Sequence, residues 1–134
     1  MLSKIDNAFL FQEKALGLRA YRQQVLAGNI ANADTPNYKA RDFEFATALN
    51  AAVAGRSSGG VPMAATAPGH IRSGVEHGLA NLMYRTPTQA SVDGNTVEMH
   101  HQRSQFSENA IRYEAGLTFI TGRIKTMLSA IQGQ

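Results

Sequence analysis

The sequence predicts a mainly α protein. Its long N- and C-terminal helices form an antiparallel, coiled-coil-like hairpin, joined by a Gly-rich middle with irregular and short β structure. Three observations carry this expectation. Apolar residues recur at helical spacing from Ile5 to Ile30. From Phe106 to Ile131 they recur in alternating steps of four and three, the pattern of a heptad seam. Between these stretches, residues 51–80 hold six of the twelve glycines, with Pro62 and Pro68, and sustain no period of strand or helix.

The first helix is expected from residue 3 to about residue 33. Ser3 is placed to cap it, with Asp6 as the return partner of a weak capping box and Leu2 as a hydrophobic staple. Its apolar residues, among them Phe9, Phe11, Ala15, Leu16, Leu18, Val25 and Leu26, cover more than one stripe, which implies contact on more than one side. Pro36 disfavours helical geometry at Thr35 and so ends the helix before it. Residues 1–47 form one segment with the turn that follows this helix, residues 48–80 a flexible Gly/Ala/Ser-rich middle, and residues 81–134 a short extended stretch and the C-terminal helix. The extended stretch falls between Leu82 and Val92 and ends in the turn signal Asp93-Gly94. Asn95 and Glu98 then read as the helix cap of a helix from about 96 to 132. The seam of that helix is Phe106, Ala110, Tyr113, Leu117, Ile120, Ile124, Met127 and Ile131. Only the N-terminal helix is long enough to cover it, and part of the seam is left for a partner.

Composition removes most chemistry. A chain of 134 residues has room for one domain. It contains no Cys and no Trp, which excludes disulfides, thiolate metal sites and Cys nucleophiles. The net charge of +3 is diffuse, with six basic and five acidic side chains in residues 1–50 and four of each in residues 91–134. No basic face interleaved with aromatics exists, so nucleic acid is not an expected partner. No apolar run approaches the ~18 residues of a membrane span, and no direct membrane insertion is expected. The N-terminus shows no Sec-type signal. Gly55-Arg56-Ser57-Ser58-Gly59 has the spacing of a nucleophile elbow, but a linker surrounds it where a strand and a helix are required. His100 and His101 point about 100° apart on a helix and cannot share an ion, while His70 and His77 have only Glu76 near them. Asp34 and Asp42 are poorly placed for paired acid–base work. No enzyme, cofactor or metal is expected.

One stretch is more specific. Asn29-Ile30-Ala31-Asn32-Ala33-Asp34-Thr35-Pro36-Asn37-Tyr38 is a helix end running into a turn. Asn29 and Asn32 lie one turn apart, with amides able to bond the exiting backbone. Thr35-Pro36 stops the helix, Asn37 tolerates a left-handed turn conformation, and Tyr38 presents a ring with a polar tip. This stretch resembles the N-terminal signature of the flagellar basal-body rod and hook family, Asn-x-Ala-Asn-x-x-Thr-Pro-Gly-Tyr. The resemblance extends through Met1 to Arg41, through Thr66 to Ile71, and through Tyr84-Arg85-Thr86-Pro87 and Ser91 to Met99, and is nearest to the proximal rod members. Asn37 replaces the usual Gly, Ala90 a common Pro, and His100-His101 positions that are often acidic.

The resemblance implies a structural subunit of the proximal rod, the shaft crossing the periplasm, exported by the flagellar type III apparatus without a cleaved signal. It implies self-association within the rod, other rod proteins and the junction of membrane ring and export gate as partners, and terminal helices brought together to line an axial channel. The reading from another class is a helical-hairpin adaptor that binds one partner and never polymerises.

Overall fold

A computed structural model describes residues 2–55, 79–89 and 91–133. Helix α1 spans Leu2–Ala31, strand β1 Arg41–Asp42, helix α2 Phe45–Val53, strand β2 Met83–Tyr84 and helix α3 Met99–Gln132. The protein is mainly helical, with one two-stranded sheet. Helix α1 begins at Leu2, so Ser3 lies within it instead of preceding it. It stops at Ala31, four residues before the Thr35-Pro36 breaker, and Asn37 takes a left-handed φ of 60° in the turn that follows.

Helices α1 and α3 lie side by side, and the order of their contacts makes them antiparallel. Asn29 meets Gln102, Gln23 meets Asn109, Leu16 meets Gly116, and Gln12 meets Arg123. At 34 residues α3 is about 50 Å long, slightly longer than its partner. It closes at Gly133, whose left-handed φ of 73° lets its N–H return to the carbonyl of Ser129.

The small core lies to one side of this pair. Leu18 of α1 packs with Phe43, with Ala48 of α2 and with Ala80, and Tyr21, Phe45, Leu49, Ala52 and Leu82 close around them. The Tyr21 and Phe43 rings stack at 5.8 Å, and the Arg19 guanidinium sits 4.4 Å above the Phe45 ring. Strands β1 and β2 pair antiparallel, Arg41 opposite Tyr84 and Asp42 opposite Met83. This joins the residues just after the signature to the extended stretch expected between Leu82 and Val92.

Two expectations need correction. Residues 48–53, read as the start of the irregular middle, belong to α2. Their side chains are mostly small, and Ala48 and Leu49 cover the Leu18 cluster, so the helix is held by tertiary contact more than by a strong periodic signal. Within that middle, residues 56–78, including Ser57, His70 and His77, lie outside the described residues. The last helix starts at Met99 and not near residue 96. Its N-cap is Glu98, which makes no side-chain capping bond. Among the described residues no helix is long and apolar enough to cross a membrane.

Candidate functional site

The signature residues and the turn before α3 come together as a polar clasp at one end of the helix pair. Asn29, 1% exposed, sits in the penultimate position but one of α1. Its Nδ2 donates to the Arg41 carbonyl at 2.7 Å and its Oδ1 accepts from the Arg41 N–H at 3.1 Å. One side chain thus pairs both backbone groups of a residue twelve positions on, as a neighbouring strand would. Nδ2 also reaches Gln102 Oε1 of α3 at 3.2 Å, and the Tyr38 hydroxyl lies 3.5 Å from Oδ1. A buried amide needs all its donors and acceptors engaged, and this one has them. Asn32 acts locally: its Nδ2 donates back to the Gly28 carbonyl at 2.8 Å and its Oδ1 accepts from the Thr35 hydroxyl at 3.2 Å. Thr35, Pro36 and Asn37 are themselves exposed.

Asn95 does not cap its own helix. It is buried against the end of α1, where its Nδ2 lies 3.1, 2.6 and 2.9 Å from the carbonyls of Asn32, Ala33 and Thr35. These carbonyls belong to the turn just past the end of α1, and a side chain from 60 residues away meets them. Its Oδ1 accepts the Val97 N–H at 2.7 Å, which shapes the short turn into α3. Glu98 turns away from α3 as well. Its carboxylate accepts the Thr88 N–H at 2.6 Å and the Thr88 hydroxyl, and these bonds hold it below the usual carboxylate range. The predicted helix cap is therefore two longer-range ties.

Further bonds knit the same two loops. The Asn37 N–H donates to the Asp93 carbonyl at 2.9 Å, the Thr96 N–H to the Tyr38 carbonyl at 3.0 Å, and the Ala40 N–H to Thr96 Oγ1 at 2.8 Å. Lys39 Nζ reaches the Gly94 carbonyl at 2.6 Å. Gly94 has a φ of 71°, and a Cβ there would stand 2.6 Å from Asn37 Oδ1. The positive φ favours glycine here, and a Cβ would also oblige the exposed Asn37 side chain to turn aside.

Beneath the clasp, Arg22 grips Asp42 through two bonds, Nε to Oδ1 at 3.0 Å and Nη2 to Oδ2 at 2.8 Å. This hydrogen bonding raises Arg22 above the ordinary guanidinium value despite its partial burial. Arg85 lies 3.7 Å from the same carboxylate and bonds Gln105 at 2.9 Å and the His101 ring at 2.7 Å. The network links α1, β1, the residue that follows β2, and α3. Gln102 was not singled out from the sequence, Asp42 was weighed only for acid–base work and Arg85 only as part of the resemblance; each pairs with residues far along the chain, and no local pattern marks that pairing.

The expected seam divides in two. Phe106, Tyr113, Ile120 and Met127 are half-buried, as is Ala110. Leu117 is 41%, Ile124 45% and Ile131 79% exposed. The α3 residues that face α1 together with the first set are Gln102, Asn109, Gly116 and Arg123, also seven apart. The heptad repeat was legible. The choice of its second position was not, because hydrophobicity favoured Leu117 and Ile124 over Gly116 and Arg123.

Among the described residues no group of three metal-ligating side chains gathers, and the polar groups of the clasp are engaged with backbone or with one another. Residues 9–39, α1 and the signature turn, match the family model for the flagella basal body rod protein. The chain is 47% identical to the flagellar basal body rod protein FlgB of Salmonella typhimurium, over 99% of each chain. It is 46% identical to FlgB of Escherichia coli K12 over 98% of each, and 38% identical to FlgB of Buchnera aphidicola over 99% of this chain and all of that one. The chain belongs to the FlgB family of flagellar basal-body rod proteins. It is a structural protein of the flagellar basal body and not an enzyme, which agrees with a signature spent on internal bonds. In this FlgB-family chain the likeness runs end to end, so the loop at 91–98 that completes the clasp is covered by it too.

Proposed function

We propose that this chain is a subunit of the proximal rod, polymerising through its terminal helices into the periplasmic drive shaft. Its partners are further copies of itself, other rod proteins, and the junction of membrane ring and export gate. It reaches them through the flagellar type III apparatus without a cleaved signal. The observation that carries this reading is the apolar stripe Leu117, Ile124 and Ile131, left outward on a helix whose other end is closed by the chain's own polar bonds. A monomer with that stripe in water keeps a strong reason to associate, because apolar burial is non-directional and scales with the area covered. Supercoiling of α1 and α3 with neighbouring helix pairs is the packing that a seven-residue repeat favours.

The test is Leu117→Asp or Ile124→Asp in a motile cell. The expected outcome is normal protein level with rod assembly and motility lost, since a carboxylate cannot be buried in an apolar contact without a partner. Full motility at normal protein level would overturn the reading. The adaptor alternative predicts a fixed small complex that does not grow when the purified protein is concentrated.

A further inference from the structure

We infer that Gln102 and Asn109, with Gly116, set the rotation of α3 about its own axis and so keep the stripe Leu117, Ile124 and Ile131 facing outward. The sequence of α3 offers two seams that share Phe106, Tyr113, Ile120 and Met127. One adds Gln102, Asn109, Gly116 and Arg123; the other adds Ala110, Leu117, Ile124 and Ile131. They differ by a turn of roughly 50° about the helix axis, half the step between adjacent residues. The second is far more apolar, and burial alone would select it. The protein buries Gln102 and Asn109 of the first, with Gly116 half-buried and Arg123 exposed.

The residues that outweigh the apolar preference are visible. Gln102 is 1% and Asn109 3% exposed, and they are the buried residues of α3. Gln102 Oε1 accepts from Asn29 Nδ2, which ties the rotation of α3 to the signature residue. Asn109 Nδ2 donates to the Arg19 carbonyl at 2.9 Å and to Gln23 Oε1 at 2.6 Å. Asn109 Oδ1 has no hydrogen-bond partner. An apolar side chain there would avoid that loss, so this position gives up stability to keep a directed bond, as a buried Asn does when it fixes register between paired helices. At Gly116 the backbone comes so close to α1 that a Cβ would stand 2.8 Å from Leu16 Cδ2. A helix turned by roughly 50° would carry Leu117 toward that contact in place of Gly116, and the two amides would lose their partners. The inference concerns the orientation of α3 within one chain and holds whichever partner the stripe meets.

The chain has no cysteine, so a single introduced thiol reports cleanly. Leu117→Cys is labelled with a maleimide in the full chain, alone and combined with Gln102→Ala and Asn109→Ala. The expected result is retained helicity with labelling slowed at least fivefold, as the apolar seam takes over and turns residue 117 inward. Phe119→Cys, on the opposite flank, should label at its original rate or faster, which separates rotation from general tightening. Gln102→Leu with Asn109→Leu makes the present seam apolar and should leave labelling at Cys-substituted position 117 unchanged. Unchanged or faster labelling in the alanine background overturns the inference. So does loss of helicity in both the double alanine variant and Asn109→Ala alone, because an apolar seam able to take over would have kept the helices paired.

Discussion

The two ends of the helix pair are built differently. At the clasp, Asn29 and Asn95 are buried, Asp42 joins Arg22 and Arg85, and the chain's two loops exchange backbone bonds. Beyond Gly116, Ile120 and Met127 are the half-buried residues of α3, Leu117, Ile124 and Leu128 are 41–50% exposed, and Phe119 and Ile131 stand well exposed. One end is specified by directional bonds between residues up to 73 positions apart, the other by apolar surface that one copy does not bury. Directional bonds suit a joint that must take a single geometry. Uncovered apolar surface suits a contact completed by association.

The comparison can be broken most severely at Asn95. Asn95→Ala leaves the Ala33 carbonyl without its partner, takes a second bond from those of Asn32 and Thr35, and should cost about 3 kcal/mol, read as a shift of the denaturant midpoint. A cost below about 1 kcal/mol would mean that water replaces the amide freely and that the clasp is not a fixed joint. Next is Gly94→Ala, which strains a φ of 71° and meets Asn37 Oδ1; about 2 kcal/mol is expected. Adding Asn37→Gly removes the clashing oxygen and should recover about half of that cost, a non-additivity that only direct contact produces.

The distal end should respond in the opposite way. Ile131→Ser removes an exposed side chain, so the isolated chain should change by less than about 0.5 kcal/mol in the same unfolding measurement. A large loss there would show that the end of α3 is already held within the monomer. The smallest effect is expected at Glu98. Thr88 hydrogen bonds hold its folded carboxyl below the ordinary glutamate value. The tie is therefore present above that value and is lost as pH falls through the lower folded one. The Thr88 amide resonance should move in that acidic range in the parent chain and stay flat in Glu98→Gln.

Much of this was readable in advance. Helix α1, the breaker at Thr35-Pro36, the left-handed turn at Asn37 and the heptad repeat of α3 all rest on local rules that act over one or two turns. Helix α2 was missed because its small residues become a helix only against Leu18 and Phe43. Asn95 and Glu98 had the spacing of a capping box, yet better partners waited at the end of α1 and at Thr88.

The sequence by itself determined that two long helices flank a signature turn, and that α3 carries an apolar stripe repeating every seven residues. Only the tertiary structure decided which face of α3 meets α1, and that Gln102 and Asn109 lie inside while Leu117 and Ile124 lie outside. The reason is physical. Periodicity counts apolar surface along one helix, whereas a hydrogen bond between Asn29 and Gln102, or a backbone approach at Gly116, exists only once both helices are in place.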